Sequence, residues 1–184
     1  GSYELNRENI ANLVSFICLN SNNIMKRAVV DLFKEFTSYD KKNTNYTEGW
    51  KTNSNYKVNK RVILPAFVEY KWSNYYSYNS YRYSAYNDID KVMCYLSGVS
   101  YDTMTSYPRS TYEKRLSEEE KQRVALISAV GEVQVGDNSW HESRFFRFRC
   151  FKKGTLHIEF KDEELWARFN KAGFNSNMVR LREY

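Results

Sequence analysis

The sequence is poor in the residues that build tight backbone cradles: seven glycines and two prolines in 184 residues. Neither a GxGxxG fingerprint nor a Walker loop occurs, so the usual glycine-rich phosphate sites are missing. No GxSxG elbow or HExxH motif is present. Nor is there the HxE and PCxxC set of the zinc deaminases. Histidine is confined to His141 and His157, which leaves imidazole chemistry two candidates. The three cysteines, Cys18, Cys94 and Cys150, are odd in number and lack CxxC spacing. They argue for a reducing compartment, the cytoplasm, and against a disulfide framework or zinc ribbon. Histidines and acids are too sparse and scattered for a metal site, so no metal and no cofactor is expected. No apolar run approaches the roughly 20 residues of a membrane span, so no membrane association is expected. No secretory signal is visible, and Gly1-Ser2 reads as an expression scar.

What is present is ordinary globular material, 42% hydrophobic and 27% charged, enough for one domain that buries about 70% of its unfolded surface. Ile10, Leu13, Val14, Ile17 and Cys18 have the spacing of an amphipathic helix over 7–19. Met25, Ala28, Val29, Leu32, Phe33 and Phe36 form a second stripe. The Asn/Ser run at 20–23 between them predicts a helical pair, with both stripes in the core. Residues 37–59 read as loop. Val62-Ile63-Leu64 is an extended segment ended by Pro65. Seven tyrosines between 70 and 86 suggest a surface loop or a strand pair with a Ser/Asn turn. Residues 88–97 form a helix with Gly98 as a left-handed stop. Ser117 opens a capping box with Glu120, and its helix is expected to run through Val124 and Ile127 toward Gly131. Residues 132–142 read as a loop or short strand.

The clearest signal lies at 144–173. Phe146, Phe148 and Cys150 alternate with Arg147 and Arg149, and Leu156, Ile158 and Phe160 alternate with His157 and Glu159. A two-residue turn at Lys153-Gly154 mixes the two faces. A three-residue turn pairs Cys150 with Leu156, Phe148 with Ile158 and Phe146 with Phe160, and puts Gly154 at the left-handed position. Asp162 then caps a last helix, with Leu165, Trp166 and Phe169 inward and Gly173 as its stop. The expected fold is a single α+β domain over residues 3–173: an N-terminal helical pair on a small antiparallel sheet, with a C-terminal β-hairpin and terminal helix. A basic tail, 174–184, follows.

Arg147-Phe148-Arg149-Cys150-Phe151-Lys152, with Gly154 and Leu156-His157-Ile158-Glu159-Phe160, resembles the C-terminal signature of the bacterial and phage domain of unknown function 4942 (DUF4942). Lys51-Thr52-Asn53, Tyr56-Lys57-Val58 and Lys60-Arg61-Val62-Ile63-Leu64 resemble its central motif. Residues 9–36 are similar to its N-terminal helical segment. The resemblance covers roughly 9–172 and departs at the Tyr/Asn-rich segment 70–86 and at Lys153. It implies an accessory protein of prophages, plasmids and other mobile DNA, with some relatives partners or neighbours of DNA methyltransferases. It carries no settled activity. The chain itself lacks the glycine-rich loop and the diproline motif that a methyltransferase needs.

In the preferred register Arg149 faces His157 and Arg147 faces Glu159 on one polar face. An ordinary solvated face with a cross-strand ion pair accounts for this pattern. So does a phosphate site, in which arginine forks bind oxygens and His157, with Glu159, moves protons. Arg149 disfavours protonation of His157 and Glu159 favours it, so no pKa direction follows. The net charge is +6, and two acid-free basic segments stand out. They supply the candidate phosphate and nucleic-acid ligands: Arg147, Arg149 and Lys152 from one, and Lys51, Asn53, Lys57, Lys60 and Arg61 from the other. The expected function is an accessory domain that binds nucleic acid or a nucleotide phosphate without catalysis. The alternatives are a metal-independent nuclease or phosphotransfer enzyme using His157, and a protein–protein adaptor for a DNA methyltransferase or defence protein.

Overall fold

Between Phe146 and Phe160 the chain folds back in the register that keeps Phe146, Phe148, Cys150, Leu156, Ile158 and Phe160 on one face. In the computed structural model, residues 7–42, 53–54, 57–70, 74–108 and 115–180 are described, with side chains for 10–37, 57–70, 74–108 and 115–174. In chain order the elements are α1 (Arg7–Lys42), β1 (Asn53–Ser54), β2 (Lys57–Val58), β3 (Arg61–Leu64), β4 (Val68–Glu69), β5 (Ser77–Tyr78), α2 (Tyr83–Ser97), α3 (Glu118–Lys121), α4 (Leu126–Val130), β6 (His141–Glu142), β7 (Phe146–Phe151), β8 (Thr155–Phe160) and α5 (Glu163–Arg180).

Strands β7 and β8 pair antiparallel with Phe146 opposite Phe160, Phe148 opposite Ile158 and Cys150 opposite Leu156. The turn places Gly154 at φ 84°. Strand β3 joins the other edge of β8, with Val62 opposite Ile158 and Leu64 opposite Leu156, and ends at Pro65 as its sequence implies. The four-stranded order is β3-β8-β7-β6. The apolar face of this sheet is fully buried. Phe160 meets Phe169 of α5 at 5.8 Å, and Phe169 meets Phe33 and Phe36 of α1 at 5.9 and 5.7 Å between ring centroids. The fold is therefore α+β, with helices on one face of an antiparallel sheet. The opposite face carries the charged residues.

Several local expectations are corrected. The helical pair is one continuous α1 of 36 residues. Asn and Ser are mediocre helix formers, costing tenths of a kcal/mol each, and nothing at 20–23 is a Pro or Gly that would break the helix. Asn22 is also held by the Tyr95 hydroxyl at 3.3 Å. Only the second stripe is core; Ile10, Leu13, Val14 and Ile17 are exposed. Within 37–59, α1 runs on to Lys42, and β1 pairs with β2. The tyrosine-rich segment supplies only β5, which pairs with β4 just before the segment, and its Tyr76 and Tyr86 are buried. Helix α2 starts at Tyr83, earlier than its stripe suggests, and ends on Gly98 in the left-handed region.

The Ser117 capping box forms as expected, but α3 stops at Lys121. Val124 leaves the helical path to bridge Thr105, whose carbonyl accepts from Ala125 N. Asp162 Oδ1 caps α5 by accepting from Glu164 N and Leu165 N at 2.7 and 3.0 Å. Gly173 does not stop α5, which continues to Arg180, through the start of the expected tail. Its missing side chain instead makes room for Phe33.

Candidate anion-binding face and cleft

Alternation on β7 and β8 projects Arg147, Arg149, His157 and Glu159 from one face of the sheet, and antiparallel pairing sets them across from one another. Arg147 stands opposite Glu159 and Arg149 opposite His157, as the chosen register requires. Strand β3 adds Arg61 opposite Glu159 on its other side. Glu159 is thereby held by two arginine forks. Arg147 Nε and Nη2 donate to Oε1 at 3.1 and 2.6 Å, and Arg61 Nε and Nη2 donate to Oε2 at 3.2 and 3.0 Å. Burial works to raise the Glu159 pKa, but the hydrogen bonds and charges of Arg147 and Arg61 hold it below the usual carboxylate range.

Trp140, just before β6, packs its ring against three guanidinium groups: Arg149 at 4.2 Å, Arg147 at 4.7 Å and Arg61 at 5.2 Å. Cation–π contact of this kind is worth about 0.5–2 kcal/mol per cation, depending on exposure. Arg149 makes no ion pair among the described residues, and its buried Nε has no hydrogen-bond partner.

His157 packs its ring on Phe151 at 4.4 Å. Burial lowers its pKa to about 4, helped by the positive charges of Arg61 and Arg149. It is a neutral imidazole at physiological pH. Beside it lies a cleft of about 500 Å³ lined by Gly136, Asn138, Phe151, Lys152, Lys153, Thr155 and His157. Lys152 and Lys153 make no ion pair among the described residues.

The second basic segment is brought near β8 but largely neutralised. Lys60 is paired with Glu163, and Arg61 with Glu159. Lys57 lies over the Trp166 ring at 4.8 Å. Asn53 is in β1; its side chain, and Lys51 altogether, lie outside the described residues. His141 pairs with Asp137 at 3.1 Å on the edge strand. Among the described residues no three His, Cys, Asp or Glu gather to hold a metal, and no helix is long and apolar enough to cross a membrane.

Sequence reasoning missed Trp140, Asn138 and Phe151 as parts of this region, and it counted Lys153 in the basic segment 144–153 without naming it as a candidate ligand. The available signal was a Trp and a Phe flanking strands of alternating arginines, where aromatic–guanidinium stacking is common. A model of the family described as a domain of unknown function, DUF4942, matches residues 1–174. No curated protein and no solved structure matches the chain.

Proposed function

Because the chain belongs to the DUF4942 family, whose description fixes no activity, we propose from geometry that it is an accessory module that binds nucleic acid or a nucleotide phosphate without catalysis. The cleft beside the β7–β8 turn carries this reading. Lys152 and Lys153 supply charge for phosphate oxygens, while the paired rings of Phe151 and His157 offer a surface for a base. Arg149, stacked on Trp140 and without a carboxylate among the described residues, extends the positive field along the strand. His157 serves as a wall of the site. An imidazole with a pKa near 4 is a weak base and has no proton to give as a general acid at pH 7. Glu159, locked between two arginines, acts as their counter-ion. The setting in mobile DNA is the one that the family resemblance implies.

Fluorescence anisotropy with single-stranded DNA and RNA oligomers over a salt series tests the proposal. Binding should weaken steeply with salt. Lys152→Ala with Lys153→Ala should flatten the log–log slope by about 0.7 for each phosphate that is no longer neutralised. Absence of binding to either nucleic acid, and to nucleotides, at low salt rejects it.

A further inference from the structure

Helix α1 carries two apolar faces, and among the described residues only one of them is covered. Val29, Leu32, Phe33 and Phe36 point into the core. Ile10, Leu13, Val14, Ile17 and Ile24 form a second stripe. At about 100° per residue, its centre lies roughly 105° around the helix from the core face, so most of it points away from that face. With Phe16 and Leu19, these side chains are 45–66% exposed. The other exposed large apolar residues among those described are tyrosines. Further along α1 the same direction is occupied by Asp31 and Glu35, so the stripe ends where charge begins.

We propose that this stripe binds a second copy of the chain, the two α1 helices pairing antiparallel about a two-fold axis at Ile17. Spacing selects this occupant. Ile10, Ile17 and Ile24 are seven residues apart, the repeat of a two-stranded helical seam. About an axis at Ile17, Ile10 of one copy meets Ile24 of the other and Ile17 meets itself, which is the self-complementarity that a two-fold interface requires. Charge points the same way. Residues 10–25 contain no charged side chain in a chain of net charge +6. A charged partner has nothing there to pair with, whereas two copies bring no like charges together. The area is consistent with a reversible dimer. Five side chains per copy at roughly 100 Å² each give about 1,000 Å² in total, the size of a weak, specific interface.

Sedimentation equilibrium tests the proposal. The wild-type chain should show a monomer–dimer equilibrium in the micromolar range. Ile17→Lys, which sets two ammonium groups at the axis, should raise the dimer Kd roughly tenfold or more. Circular dichroism and Tm, both measured well below the wild-type dimer Kd, should stay unchanged, because Ile17 lies outside the core. Phe16→Lys, about 100° around the helix, should leave the Kd within about threefold. A wild-type chain that stays monomeric to several hundred micromolar overturns the proposal. So does equal weakening by the two substitutions, or a monomer that instead partitions onto phosphatidylcholine vesicles through this stripe.

Discussion

Gly173 of α5 lies against Phe33 of α1 so closely that a methyl group on Gly173 would fall 2.3 Å from the Phe33 ring. Replacing a mid-helix glycine by alanine ordinarily stabilises by about 1 kcal/mol. Here the sign should reverse. Gly173→Ala should lose roughly 1–3 kcal/mol through overpacking, seen as a lower Tm, and Phe33→Leu in the same chain should recover part of the loss.

Gly154 sits at φ 84°, and a Cβ there would stand 3.2 Å from the Val68 carbonyl. Its own carbonyl accepts from Phe67 N and Val68 N, tying the turn to the chain after β3. Gly154→Val should therefore cost about 1 kcal/mol or more. Urea denaturation measures this directly; unchanged stability would mean that the turn is not left-handed.

Asp90 and His157 should pull the pH dependence of stability in opposite directions. Asp90 is 1% exposed. Its Oδ2 accepts from Leu126 N at 2.8 Å, capping α4, while Oδ1 has no partner. Burial raises its pKa to about 7, with the Leu126 hydrogen bond and the Arg144 charge acting the other way. The folded state then holds a proton that the unfolded chain releases, so the Asp90 contribution is full below pH about 4 and falls as pH rises to about 7. With His157 at about 4 folded and about 6.5 unfolded, the unfolded chain binds the extra proton, and stability rises with pH across that window. The two slopes offset each other. Asp90→Asn should unmask a rising profile between pH about 4.5 and 6.5, and His157→Phe a falling one, each by on the order of 3 kcal/mol across the full window. Urea titrations at fixed pH values read both.

Glu159→Gln should destabilise by about 1–2 kcal/mol, less than a fully buried ion pair, because Arg61 and Arg147 are about half exposed. The depressed Glu159 pKa means that this contribution is present above the unfolded value and lost as pH falls through the folded one. If the face binds anions, the same substitution should tighten nucleotide affinity, since two guanidinium charges lose their counter-ion. Tighter binding by a less stable protein is the combination to look for.

The hairpin is legible in the sequence because strict alternation and one glycine allow a single register with a clean apolar face. Caps such as Ser117 and Asp162 are legible because they act within one turn. The convergence of Arg61, Arg147 and Arg149 on Trp140 is not, since strands far apart in sequence bring those side chains together only after pairing. Helix α1 reads as two helices because weak helix formers imitate a breaker. Gly173 reads as a helix stop because a packing glycine and a terminating one are identical on paper. For His157, the opposing charges of Arg149 and Glu159 follow from the strand register; the burial and the Arg61 charge that decide its pKa arise only in the tertiary fold.

The contact of Phe33 with Phe169 also has a temporal side. The two are 136 residues apart, so α1 leaves the ribosome on the order of ten seconds before α5 exists to cover it, at about 5–20 residues per second. During that interval the part of its core face that α5 covers is exposed, and so is its outer stripe. The nascent chain therefore presents an apolar rod for much of its synthesis, and its yield in the cell should depend on chaperone capacity more than its final stability would suggest.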